Sequence, residues 1–117
     1  MRRGDIWTVA GGKDHAGKPH PAVILQDDRF DATASLTLCA FTTEPTEAPL
    51  FRLAVTPSAR NGLRDACSLM VDKITSAPKT KLGIPIGRLD DADILRLNQA
   101  MLVFLGLAVP ARTSAAV

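Results

Sequence analysis

The chain holds 117 residues, 14 Lys and Arg against 12 Asp and Glu, and a formal net charge of +2. That length suits one compact domain burying about two thirds of its unfolded surface. The charge is too even for a protein that coats nucleic acid by bulk electrostatics, so an anionic partner must meet a local patch.

The opening "MRRGDIWTVAGG" begins with charge, but Asp5 interrupts it and no apolar signal-peptide core follows. Within it, "DIWTVA" alternates Ile6 and Thr8 against Trp7 and Val9, the period of a first strand. "PAVILQ" is continuously apolar, as expected of a strand covered on both faces. "SLTLCAF" sets Leu36, Leu38 and Ala40 against Thr37, Cys39 and Phe41, a half-buried third strand. "LFRLAV" follows a Pro-rich loop, and "SLMVDKI" and "GIPIGRL" supply the later strands, with Pro85 assigning the last to an edge or a bulge.

The period then changes. Ile94, Leu97, Met101, Phe104 and Leu105 recur as one helical stripe. Asp90 suits the N-cap, Asp91 and Asp93 bring negative charge to the first turn, and Gly106 or Pro110 ends the helix. Leu102 and Val103 widen the stripe, so the helix covers a barrel end and has apolar surface left for a partner; burial against the sheet alone is the competing reading. The longest apolar stretch, "AMLVFLGLAVPA", is too short to span a bilayer and is broken by Pro110.

The expected architecture is therefore mainly β with a C-terminal helix, a small barrel of five or so strands. It forms a single domain over 1–117, with the strand-rich barrel over about 5–89, the helix over about 91–107 and a flexible tail over 110–117. Cys39 and Cys67 lie far apart without C-x-x-C spacing, which fits buried free thiols in a reducing compartment. A cytoplasmic protein away from any membrane is expected.

The sequence lacks a G-x-S-x-G elbow, a P-loop and an H-E-x-x-H helix. Its two histidines, His15 and His20, lie five apart in a Gly/Pro-broken loop without a nearby cysteine, so neither a metal nor a cofactor is expected. Polar residues instead gather where strands end: Lys13, His15, Lys18 and His20 in the first loop, Thr42 and Thr43 after the third strand, and Asp72, Lys73, Thr75, Ser76 and Lys79 after the fifth. A barrel brings such ends to one rim. Singly, each has an ordinary structural use: a threonine caps a turn, an aspartate pairs with Lys73 or accepts backbone N–H bonds, a lysine is solvated.

Four blocks in order, "RRGDIWTV", "GKPHPAVILQDD", "LTLCAFT" and "SLMVDKITSAPKTKLGIPIGRLDDADILRLNQAM", resemble the MazF/PemK family of bacterial toxins and span most of residues 2 to 107. The resemblance implies an SH3-like barrel that forms a homodimer and cuts single-stranded RNA, messenger RNA in particular, without a metal. It further implies neutralisation by a small MazE-like antitoxin whose tail wraps the dimer. The family's basic residue before the strand-2 proline falls on His20, its strand-3 threonine on Thr42, its later aspartate on Asp72, and a substrate-contacting neighbour on Lys73. Most members carry Arg at the position of His20, and some carry Arg at the position of Met70. Arginine only donates and stabilises charge, whereas histidine also moves a proton.

The implied reaction explains why these residue types would meet. A ribose 2′-hydroxyl attacks the adjacent phosphate, leaving a 2′,3′-cyclic phosphate and a 5′-hydroxyl. The site must accept the 2′ proton, steady the phosphate oxygens and protonate the departing oxygen. On this reading His20, Thr42 and Asp72 are catalytic, with His20 or Asp72 taking the proton and Thr42 donating to phosphate. His15, Lys18, Thr43, Lys73, Ser76 and Lys79 bind substrate. Trp7, Phe41 and Phe104 fall at core positions, so RNA is read by hydrogen bonds more than by aromatic stacking; Arg29, Arg52, Arg60 and Arg64 could extend a phosphate track. Two rival readings are a CcdB-like poison of DNA gyrase and a degenerate member that binds RNA or antitoxin without cutting. The first relies on an apolar C-terminal end with Trp, which "PARTSAAV" lacks.

Overall fold

Strand alternation in the sequence translates directly into a sheet with an apolar cluster on each face. The computed structural model describes residues 1–10, 18–45 and 47–108. It contains β1 (Asp5–Val9), β2 (His20–Ile24), β3 (Ser35–Thr42), β4 (Arg52–Val55), β5 (Cys67–Met70), β6 (Thr75–Pro78), β7 (Leu82–Arg88) and α1 (Asp91–Phe104). The antiparallel strands run in the order β4-β5-β3-β2-β1-β7, and β6 pairs with β3 off this path. The hydrogen-bonded path stays open between β4 and β7, so the fold is barrel-like without a closed ring of strands among the described residues.

β3 is the hub because it changes partners along its length. Ser35 to Leu38 pair with β6, Leu38 to Ala40 with β2, and Phe41 and Thr42 with β5. One strand serving three partners forces the sheet to bend around it. Ile6, Val23, Cys39, Phe41, Leu69 and Leu89 point to the main core, where Leu97 and Ala100 of α1 cover them. Val9, Ala22, Ile24, Leu36, Leu38, Ala40 and Met70 form the second cluster, with Trp7 packed against it. Ile6 and Trp7 thus point opposite ways as their alternation predicts, and β2 is buried on both faces. β3 is more deeply buried than expected: from Leu38 to Phe41 both of its faces are covered.

The "SLMVDKI" run is not one strand. β5 stops at Met70, a 3-10 turn spans Val71–Lys73, and Thr75–Pro78 forms a separate strand. Arg52 grips Asp72 at this turn, and the chain leaves the β4 ladder there. Pro85 lies on the edge strand β7 opposite Trp7, where the β1–β7 register shifts twice. Beside the proline, which lacks an N–H, the Thr8 hydroxyl accepts the Ile84 N–H at 2.9 Å. Gly83 is required here, since a Cβ would stand 2.4 Å from Thr8 Oγ1.

The helix is shorter than the expected 91–107. It ends at Phe104 because Gly106, at φ +76°, turns the chain and lets the Leu107 and Ala108 N–H groups donate to the Leu102 carbonyl at 2.8 and 3.0 Å. Asp90 occupies the N-cap position, yet its carboxylate makes no cap. It accepts from Ser58 Oγ at 2.7 Å and Asn61 Nδ2 at 3.4 Å. The stripe also shifts: Leu97 and Ala100 are buried, whereas Phe104 and Leu105 are 46% and 55% exposed. The last turn overruns the sheet, and Phe104 meets Phe51 with ring centroids 6.1 Å apart. No helix among the described residues is long and apolar enough to cross a membrane.

Candidate active site

Neighbouring strand ends build the candidate site. His20 opens β2 and Thr42 closes β3. Continuing the β2–β3 register two residues beyond the Ala22–Ala40 pair sets these two opposite each other on the same face. Both line a cavity of about 760 Å³, together with Thr8, Thr43, Arg64 and Asp65. His20 also lines a second cavity, of about 330 Å³, so it forms the wall between the two.

The Thr42 hydroxyl accepts the Glu44 N–H at 3.1 Å. A hydroxyl has one hydrogen and two lone pairs, so this bond orients Oγ1 while its own hydrogen stays available to donate. Glu44 and Asp65 bring carboxylates to the larger cavity and Arg64 a guanidinium. The half-buried Cys67 lines it too, but burial pushes its thiol up to about 11, and burial pushes that of Cys39 to about 12, so neither is a thiolate at neutral pH.

Asp72 stands apart from this cavity. Arg52 Nε donates to its Oδ1 at 2.7 Å and Nη2 to its Oδ2 at 3.0 Å. That hydrogen bonding holds the carboxyl below its usual range, against an opposing push from burial. Its sequence neighbour Lys73 turns into the smaller cavity, where Ser76 also lies. Lys79 lines neither cavity, and its ammonium donates to the Asp31 carbonyl. Lys18 is exposed beside Pro19, which lines the larger cavity. His15 and Lys13 lie outside the described residues.

Of the four arginines considered for a phosphate track, three are committed to carboxylates: Arg29 to Asp27, Arg52 to Asp72 and Arg60 to Asp91. Arg64 is the one lining the larger cavity. Its loop is held by Asn61, the buried polar residue beneath it. Asn61 Oδ1 accepts the Ser58 and Leu63 N–H groups at 2.9 and 3.0 Å, and Nδ2 donates to the Thr56 carbonyl at 3.0 Å. Gly62, at φ +68°, then packs so closely on β7 that a Cβ would lie 2.4 Å from the Ile86 carbonyl oxygen. Asn61–Gly62 is a turn dipeptide tolerant of positive φ, which marks a turn in the sequence without placing it at this cavity.

Residues 2–105 match the family described as PemK-like, MazF-like toxin of type II toxin-antitoxin system. The chain is 51% identical over 108 residues to the probable endoribonuclease MazF of Mycolicibacterium smegmatis, covering 92% of this chain and 99% of that one. It is 31% identical over 117 residues to endoribonuclease MazF9 of Mycobacterium tuberculosis, covering 92% and 98%. Among solved structures, an endoribonuclease in complex with its cognate antitoxin, from a mycobacterial species, superposes with a TM-score of 0.78 at 24% identity, covering 94% of this chain and 99% of that one. The fold is thus that of a barrel-like antiparallel β protein with a C-terminal helix. The chain belongs to the PemK-like, MazF-like toxin family of type II toxin-antitoxin systems.

Proposed function

We propose that this chain is the toxin of a toxin-antitoxin pair and an endoribonuclease that cuts single-stranded RNA, messenger RNA in particular, to 2′,3′-cyclic phosphate and 5′-hydroxyl ends. The observation that carries the reading is the shared placement of His20 and Thr42 on one cavity wall, in a chain half identical to a relative named as a probable endoribonuclease. The nucleophile is the substrate's own hydroxyl, so the reaction needs proton transfer and charge stabilisation, not a metal-bound water.

His20 accepts the 2′ proton and Thr42 donates to a phosphate oxygen. Of the two bases the sequence offers, His20 is favoured because Asp72 is a weak proton acceptor while Arg52 holds both its oxygens. Asp72 serves by fixing the turn that presents Lys73. Lys18, Lys73, Thr43, Ser76 and His15 bind the RNA; Lys79 contributes charge at the far end of β6. The protein works in the cytoplasm as a single-domain homodimer with a MazE-like antitoxin as partner. In support, Leu95, Leu102, Phe104, Leu105 and Leu107 remain exposed on and after α1, and one structural neighbour is an endoribonuclease in complex with its cognate antitoxin.

The test is digestion of a labelled single-stranded RNA in chelator, with analysis of the ends. Cyclic phosphate and 5′-hydroxyl termini are expected. Intact RNA with inhibited gyrase would replace this reading with the CcdB-like one, and binding without cutting would leave a degenerate member.

A further inference from the structure

The smaller cavity has a composition unlike that of its neighbour. Its floor is apolar and small: Ala22 and Ala40 are cross-strand partners, so two methyl groups face each other where the next such pair is Ile24 with Leu38. Leu38 and Met70 border this hollow and, like both alanines, are under 10% exposed. The volume of about 330 Å³ falls within the range of small-ligand pockets.

The rim is polar and cationic. Lys73 and Lys81 stand on it, with no Asp or Glu among the described lining residues, whereas the larger cavity carries Glu44 and Asp65. β6 supplies the remaining wall. Thr75 pairs with Leu38 and Ala77 with Leu36, and paired residues of antiparallel strands point to the same face, so both present their side chains to the second cluster. Thr75 thereby sets a hydroxyl at the edge of an apolar hollow.

Apolar surface beneath, a hydrogen-bonding edge and cations above together match an unstacked nucleobase carried on its phosphodiester chain. Among the described residues no Phe, Tyr or Trp lines the hollow, and the His20 imidazole is at its wall toward the larger cavity; the polarisable thioether of Met70 adds apolar contact beneath a base. We propose that this cavity is a base-binding subsite: it receives the base of a nucleotide flanking the cut phosphate, with Thr75 reading its edge and Lys73 and Lys81 holding the adjoining phosphates. The assignment rests on the nuclease reading above and adds to it the residues that set sequence preference. Because His20 walls both cavities, a base seated here keeps its phosphate beside the proposed proton acceptor.

Two variants test it. Thr75→Val removes the hydroxyl at nearly constant volume, and Ala77→Leu fills the hollow from its half-buried wall. Random-sequence RNA is cut by each protein and the new ends are sequenced. Thr75→Val is expected to change base preference at one position flanking the cut by about fivefold, the effect of one hydrogen bond. Ala77→Leu is expected to slow cutting of base-bearing RNA while cutting RNA with an abasic ribose at that position at the parental rate. Unchanged preference at both flanking positions in both variants, with an active parent, overturns the subsite alone.

A non-cleavable oligonucleotide with a 2′-deoxy nucleotide at the cut, followed by fluorescence anisotropy, separates the two readings. If the parent binds this oligonucleotide but does not cut its all-ribose counterpart, the nuclease reading fails. The subsite then stands if both variants weaken binding of the base-bearing oligonucleotide but not of the abasic one, and falls otherwise. Absence of any RNA binding overturns both.

Discussion

Arg52 and Asp72 are joined by two parallel hydrogen bonds, Nε to Oδ1 at 2.7 Å and Nη2 to Oδ2 at 3.0 Å, with only 10% and 21% of the side chains exposed. The pair fastens β4 to the turn that leaves β5. Hydrogen bonding from Arg52 lowers the Asp72 pKa from its ordinary value, with burial opposing. A carboxyl whose folded pKa lies below its unfolded one stabilises fully above the unfolded value and loses that contribution as pH falls through the folded one. Arg52→Met is therefore expected to cost about 2 kcal/mol at neutral pH. In urea unfolding, the difference between the parent and Asp72→Asn should hold steady near neutrality and shrink below about pH 4. A difference that ignores pH would mean the charge pair adds no stability.

The same clamp separates the two candidate bases. General acid–base catalysis contributes about 10²- to 10⁴-fold, so His20→Ala should cut a defined RNA at least about 100-fold more slowly. Asp72→Asn, checked for folding by circular dichroism, should stay within about tenfold of the parent. If Asp72→Asn matches the loss in His20→Ala, the proton acceptor is Asp72. His20→Arg offers a second readout: arginine donates and stabilises charge but does not accept a proton, so this variant should lose about as much activity as His20→Ala.

Local pattern made most of this fold legible. The alternation in "DIWTVA", the unbroken apolar run of β2 and the edge placement of Pro85 each follow from which faces are covered. What pattern alone did not reveal depended on long-range contacts. "SLMVDKI" reads as one strand until Arg52, 20 residues earlier, captures Asp72 and turns the chain. Asp90 reads as a helix cap until Ser58 and Asn61 claim its carboxylate. The stripe of α1 extends to Phe104 and Leu105 in sequence, but the sheet ends before it can cover them. At the site, His20 and Thr42 could be placed together because each ends an apolar strand. The wall carrying Arg64 and Asp65 could not, since its position depends on the buried hydrogen bonds of Asn61.

Thr42 is expected to act through its hydroxyl hydrogen. Removing one preorganised donor to a developing phosphate charge costs about 10²- to 10³-fold, so Thr42→Val should slow cutting by that factor while changing KM little. Thr42→Ser keeps the hydroxyl and should remain within about tenfold. Because Oγ1 also accepts the Glu44 N–H, the valine variant should lose about 1 kcal/mol of stability as well. Equal activity losses in the serine and valine variants would exclude the hydroxyl as the source of the effect.

Asn61 ties the cavity wall to the start of α1. Its side chain accepts two backbone N–H groups and donates to the Thr56 carbonyl and the Asp90 carboxylate. Asn61→Ala strands several of these groups in a region where Asn61 itself is fully buried. Each unsatisfied buried group costs about 1 to 3 kcal/mol, and some will be reached by water, so a total near 3 kcal/mol is expected in urea unfolding. The loop carrying Gly62 to Asp65 should loosen first. Hydrogen exchange of the Leu63 amide should accelerate far more than that of Val23 in the central strand, and RNA cutting should fall even where the protein remains folded. Parallel acceleration at both amides would place Asn61 in global stability and leave the cavity wall to be held by other contacts.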